Sequence, residues 1–299
     1  MENTAERSIQ IAVIGDVHDQ WEKEDNLALQ QLGVDLALFV GDFGNESVEV
    51  VREISTLEVP FAAILGNHDA WYSASEWGRK KSPYDREIED RVQQQLDLLG
   101  KAHVGYGKLE FPELGLSVVG GRPFSWGGSD WRNRDFYRDR YGINDFEEST
   151  ARIVEVAKDA AHQTLIFLGH NGPSGLGDRA EDICGRDWGE LGGDHGDLDF
   201  AGAIAQVLDL GKHIPLVTFG HMHHRLRHTR EQLRTNICTT PQGTIYLNAA
   251  AVPRIIQIGG DVVRNFSLVS LQGGRVKTID LIWIDENGTI HSSTPLYSG

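Results

Sequence analysis

Five times along this chain a short apolar run stops at a glycine and gives way to side chains that can bind a metal. The runs are Ile9 to Ile14, Asp35 to Val40, Phe61 to Leu65, Thr164 to Leu168 and Pro215 to Phe219. Each has the length and the bounding signals of a buried strand. The turns that follow are Gly15-Asp16-Val17-His18, Gly41-Asp42, Gly66-Asn67-His68-Asp69, Gly169-His170 and Gly220-His221-Met222-His223. Helical stretches separate the first three strands: Glu22 to Leu32, stopped by Gly33, and Glu46 to Leu57, with Val48, Val51 and Ile54 spaced for one face. Strand and helix at this spacing predict a parallel core with right-handed crossovers. Parallel neighbours deliver their carboxyl ends to one edge, which is where ligands sit in open α/β sheets.

Beyond these turns the chain predicts a polar helix over Tyr84 to Leu99 and another between about Asp145 and Ala161. The short β-rich runs from Ile237 to Ile290 suggest a second, antiparallel-leaning sheet. Two stretches break the pattern. Arg122 to Tyr141 interleaves arginines with Trp, Phe and Tyr, and Ser174 to Asp199 is rich in glycine and acidic residues with little periodicity. The whole reads as one domain over 1–299, with insertions at about 122–145 and 171–199. A loop as long as the second is usually functional, and a lid is one reading of it.

The donors collected from the strand ends are carboxylates, imidazoles and one amide, with no cysteine. That set suits borderline-to-hard divalent ions, Mn, Fe, Zn or Ni, and is too rich in nitrogen for calcium. There are enough donors for two ions, with a carboxylate such as Asp42 shared. The formal net charge of −16 over 299 residues argues against a broad phosphate-backbone-binding face, and so against a nuclease. With two cysteines far apart, no apolar leader between Met1 and Gln10 and no membrane-length run, a cytoplasmic protein without a membrane partner is expected.

In their order and spacing the five turns resemble the signature of the calcineurin-like metallophosphoesterases, over roughly residues 9 to 225. The resemblance implies an α/β (α+β) fold, a four-layer αββα sandwich of two facing mixed β-sheets flanked by helices. It implies a phosphoesterase with two divalent metals, manganese favoured, in which a bridging hydroxide attacks phosphorus in line. By match, Asp16, His18 and His223 would hold the first ion with Asp42 bridging, and Asp42, Asn67, His170 and His221 the second. His68 would assist the departing alkoxide, so Asp42, Asn67 and His68 are the catalytic candidates. Where many members carry an aspartate that supports this histidine, the chain has Asn45, so Glu46 and Asp69 stand as alternative partners.

Asn45, Arg122, Trp126 and Arg132 are the candidate substrate contacts, arginine for phosphate oxygens and tryptophan for a planar ring. A small phosphorylated or nucleotide-like substrate is expected. The alternative is a phosphoprotein phosphatase acting on a phosphopeptide, although the Gly-Asp-x-x-Asp-Arg-Gly and Gly-Asn-His-Glu runs of the large Ser/Thr phosphatases are absent. A non-catalytic scaffold of the same fold would show lost ligands, and none is lost. His195, His224 and His228 fall outside the pattern and read as solvent or supporting residues.

Overall fold

The computed structural model describes residues 7–299; the first six residues of the stretch read as lacking a leader lie outside it. Two sheets face each other. One has seven strands, in the spatial order β13 (Ile290–Ser298), β12 (Arg275–Ile284), β11 (Asp261–Gln272), β1 (Ile9–Ile14), β2 (Leu36–Phe39) and β3 (Phe61–Ala63), with β10 (Ile255–Ile258) paired to β11. The other has six, in the order β4 (Lys108–Phe111), β5 (Leu116–Gly120), β6 (Thr164–Leu168), β7 (His213–Phe219), β9 (Ile245–Asn248) and β8 (Ile237–Thr239). Within the first, β1, β2 and β3 are parallel. Within the second, β5, β6, β7 and β9 are parallel.

The central strands are apolar on both faces because both are covered, as parallel strands require. Ile11, Val13, Leu38 and Val40 meet Ile166, Leu168, Leu216 and Leu247 between the sheets. On the outer face of the first sheet, Ala12, Ile14, Ala37 and Phe39 receive Leu29 of α1 (Lys23–Leu32), Val51 and Ile54 of α2 (Val48–Ile54), and the apolar side of the helix at Arg91–Leu99. On the outer face of the second, Phe167 and Phe219 receive Ile153 of the helix at Phe146–Lys158 and Phe200 and Ile204 of the one at Leu198–Asp209. The layers are therefore helix, sheet, sheet, helix, as the resemblance implies. Among the described residues, no helix is long and apolar enough to cross a membrane.

Local signals account for the boundaries. The Glu22 and Asp25 side chains form a capping box on α1, and Gly33 closes it at φ 60°. The helix expected from Tyr84 begins only at Arg91, where the Asp90 carboxylate accepts the Gln93 N–H. Upstream, Ile88 is 81% exposed, so the earlier turn has no apolar face to bury. The tail is also corrected. It builds no sheet of its own: β8 and β9 extend the second sheet, whereas β10 to β13 extend the first, with β11 antiparallel to β1 and each further neighbour antiparallel in turn. Alternation reports which face of a strand is buried but not which sheet edge it joins.

Candidate metal centre

The strand-end turns of both sheets meet in one cleft. In the first sheet they are bound to one another through their backbones. Val17 N–H and His18 N–H both donate to the Asp42 carbonyl, at 3.0 and 2.7 Å, and Glu46 N–H donates to the His68 carbonyl at 3.0 Å. Asp69, fully buried, accepts from Phe43 N–H at 2.8 Å and Gly66 N–H at 2.6 Å, stapling the second turn to the third. From the second sheet, His221 N–H donates to the Asp16 carboxylate at 3.0 Å, and Nδ1 of His170 donates to the Val40 carbonyl at 2.8 Å.

That last bond has a chemical consequence. With its proton on Nδ1, His170 turns a lone pair on Nε2 toward Asn67 Oδ1, 2.9 Å away, and Asp42 Oδ1, 3.3 Å away. On the other flank, His18 Nε2 and His223 Nε2 are 3.1 Å apart, and the latter lies 3.2 Å from Asp16 Oδ2. Donor atoms converge in three overlapping groups: Asp16, His18 and His223; His18, Asp42 and His68; and Asp42, His170 and His221. Two such clusters joined through Asp42 fit a pair of divalent cations, which would satisfy lone pairs that otherwise face one another. All seven expected ligands are thus brought together.

The backbone is bent to make this possible. His18, Asp42 and His221 have φ of 46°, 51° and 65°, a region that side chains other than glycine rarely adopt. Glycine is needed beside them for a different reason. A Cβ on Gly220 would stand 2.0 Å from Asp16 Oδ1, and one on Gly66 would stand 2.3 Å from Asp42 Oδ1.

Electrostatics follow burial. Desolvation would raise the Asp16 carboxyl, but the hydrogen bond and charge of His223 outweigh it and hold Asp16 well below the usual carboxylate range. Burial pushes His221 well down and His68 down, so both rings favour the neutral form. Asp69 is raised, first by burial and then by its neighbour Asp42.

The partner of His68 is Asn45, whose Oδ1 lies 2.6 Å from Nδ1. Neither alternative serves. Glu46 turns away, accepting from Tyr72 N–H at 2.8 Å and from the Tyr84 hydroxyl, and Asp69 is occupied by its staple. With Nδ1 donating to an amide oxygen, Nε2 of His68 faces the cleft, 4.0 Å from Asp42 Oδ2. Trp71 stacks on the ring at 4.5 Å and 17°, and Trp126 continues the stack at 5.3 Å from Trp71.

The candidate substrate contacts separate. Trp126 and Arg132 line the cleft, which has a volume of about 260 Å³. Arg122 does not. It is 4% exposed, paired with Asp197 and Asp199 at 2.8 Å each, and boxed by Trp131, Tyr137 and Phe146. It fastens one insertion to the other and cannot reach a substrate. The Asn45 amide oxygen is taken up by His68, and Asn45 is not among the residues lining the cleft.

The cleft also holds residues the sequence did not single out: Asp187 and Trp188 from the long insertion, and Arg225, Arg227 and Arg234 from beyond His223. A run of arginines directly after the last metal-competent turn was the available signal. His195 lines the cleft with its Nε2 3.0 Å from the Trp126 carbonyl. His224 is buried and donates to the Asn248 carbonyl at 2.8 Å, and His228 pairs with Glu181.

Among solved structures, one chain matches with a TM-score of 0.53 at 12% identity, over 91% of this chain and 98% of that one. A protein of Thermus thermophilus matches with a TM-score of 0.47 at 11% identity, over 97% and 100%. A dimetal phosphatase from Danio rerio matches with a TM-score of 0.47 at 12% identity, over 97% and 99%. Such identities speak to the fold alone. No curated protein matches the chain significantly. The model of the calcineurin-like phosphoesterase family matches residues 9–225, the span from β1 to just past His223. With that match over most of its length, the chain belongs to the calcineurin-like phosphoesterases, hydrolases of phosphoester bonds.

Proposed function

We propose that the protein is a dinuclear metal-dependent phosphoesterase acting on mono- or diesters of a small phosphorylated substrate, with manganese the favoured metal. The observation that carries this reading is the convergence of three overlapping donor groups, linked through His18 and Asp42. Asp16, His18, Asp42 and His223 would hold one ion, and Asp42, Asn67, His170 and His221 the other. When bound, such a pair lowers the pKa of water and neutralises phosphate oxygens as charge develops.

The protein's own residues do the rest. Asn45 and Trp71 hold the His68 ring so that Nε2 faces the cleft, where the ring, once it has taken up a second proton on that atom, can pass it to the departing alkoxide. Trp126 and Arg132 line the approach and would orient the ester. A cleft of about 260 Å³ supports a small molecule over an extended peptide.

The test is a metal-supplemented panel of a phosphomonoester, a phosphodiester and a phosphopeptide. Hydrolysis of a small ester that disappears on chelation and falls by about 10³-fold or more in Asp42→Asn is expected. Preference for the phosphopeptide would favour the protein-phosphatase alternative, and unchanged activity in Asp42→Asn would remove the reading.

A further inference from the structure

Several guanidinium groups of this chain are committed to carboxylates, whereas those at the cleft are not. Arg122, Arg140, Arg179, Arg234 and Arg254 each face a carboxylate at 2.8–3.1 Å. Arg132, Arg225 and Arg227 line the catalytic cleft, are exposed, and form no ion pair with any described residue. In a chain with a formal net charge of −16, carboxylates are plentiful, so three unpaired cations on one cleft are not a result of scarcity. Like charges gathered on one small cleft repel one another until an anion arrives.

The scissile phosphate does not account for all three. Its oxygens belong at the donor clusters on the cleft floor, whereas Arg132 comes from one insertion and Arg225 and Arg227 from the segment beyond His223. The cleft also has an aromatic wall, which runs outward from the leaving-group histidine as the stack His68, Trp71, Trp126. Facing the same space, Trp188 carries the Arg227 guanidinium 5.1 Å from its ring centre and meets His195 edge-on at 4.8 Å. Arg227 is thus held by a ring rather than by a carboxylate, with its N–H groups available.

We propose that Arg132, Arg225 and Arg227 form a second anion subsite, and that Trp126 and Trp188 receive a planar ring, so that the substrate is a nucleotide bearing a phosphate beyond the scissile one. Guanidinium forks match phosphate oxygens, and indole faces stack on bases without reading their sequence. The inference rests on the phosphoesterase reading for where the scissile phosphate lies, but the binding it describes needs no turnover.

The test is calorimetric titration of the manganese-loaded protein with three non-hydrolysable probes. These are the methylene-bridged analogue of ADP, the phosphonate analogue of AMP, and methylenediphosphonate. The ADP analogue is expected to bind at least ten-fold more tightly than either of the others. The double variant Arg225→Ala/Arg227→Ala is expected to lose ten-fold or more on the ADP analogue and little on the AMP analogue. Trp126→Leu is expected to weaken both nucleotides and leave methylenediphosphonate unaffected. Affinities of the ADP and AMP analogues within two-fold of each other would overturn the anion subsite. Methylenediphosphonate binding as tightly as the ADP analogue would overturn the ring. If these outcomes occur while simple phosphoesters are still hydrolysed, only this inference fails. If the ADP analogue binds as expected and no ester is hydrolysed, only the phosphoesterase reading fails.

Discussion

The two sheets contribute to the cleft in different ways. The turns of the first, which carry Asp16, His18, Asp42 and Asn67, are tied to one another by backbone bonds and by the Asp69 carboxylate. Those of the second, which carry His170, His221 and His223, are joined by the bond from Gly220 N–H to the His170 carbonyl at 2.7 Å, and meet the first through the His221 N–H and His223 ring on Asp16 and the His170 ring on Val40 and Asn67. One half is a self-supporting cradle. The other has a lighter backbone tie, and its imidazoles are positioned mainly by side-chain contacts with the first. A centre built this way should fail globally when the cradle is cut and locally when the docking is disturbed.

Cutting the cradle should have the largest effect. Asp69→Ala leaves two buried N–H groups unpaired and should lose about 3–4 kcal/mol in urea unfolding. A loss below about 1 kcal/mol would dissolve the distinction between the halves. Disturbing the docking should cost less and act on one ion. Gly220→Ala drives a methyl against Asp16 and should destabilise by about 2 kcal/mol. In calorimetry it should weaken one of two manganese equivalents and spare the other.

Acid should also loosen the second half. His224 lies beneath its last turn, with burial holding its pKa down to about 4. The unfolded chain takes up that proton near pH 6.5, whereas the folded one resists until about 4. The stability involved is therefore whole above pH 6.5 and is lost as the pH falls toward 4. Between pH 6.5 and 5 it amounts to about 2 kcal/mol, and His224→Gln should abolish that share of the slope. The smallest change concerns the cradle's own histidine. Asn45→Asp places a carboxylate on Nδ1 of His68, favours the imidazolium, and should move the alkaline limb of the kcat profile up by about one pH unit.

Much of this was legible in the residues because the five turns follow strands buried on both faces, and such strands announce themselves as continuous apolar runs. The resemblance then supplied the facing sheets. What was not legible has a common cause: residue type does not report environment. Arg122 and Arg132 lie ten positions apart in one aromatic-rich stretch, yet one is walled in by two aspartates and the other is free at the cleft. Asp187 and Trp188 sit in a segment without periodicity, so nothing marked them until the Asp187 carboxylate was seen to accept the Arg227 backbone N–H at 2.7 Å and pair with Arg234. The tail's strands alternate in the ordinary way, and the choice between two sheet edges is made by tertiary packing.

The positive φ angles at His18, Asp42 and His221 have a consequence for how such a chain drifts over generations. Each holds an L-residue where glycine would rest at ease, a difference of about 1 kcal/mol per position. A mutation to glycine at His18 or His221 therefore relaxes the backbone while deleting a donor. Disarming this protein is a downhill step in folding free energy, and only selection on its chemistry opposes it. Descendants released from that selection would keep the sandwich and lose the centre first.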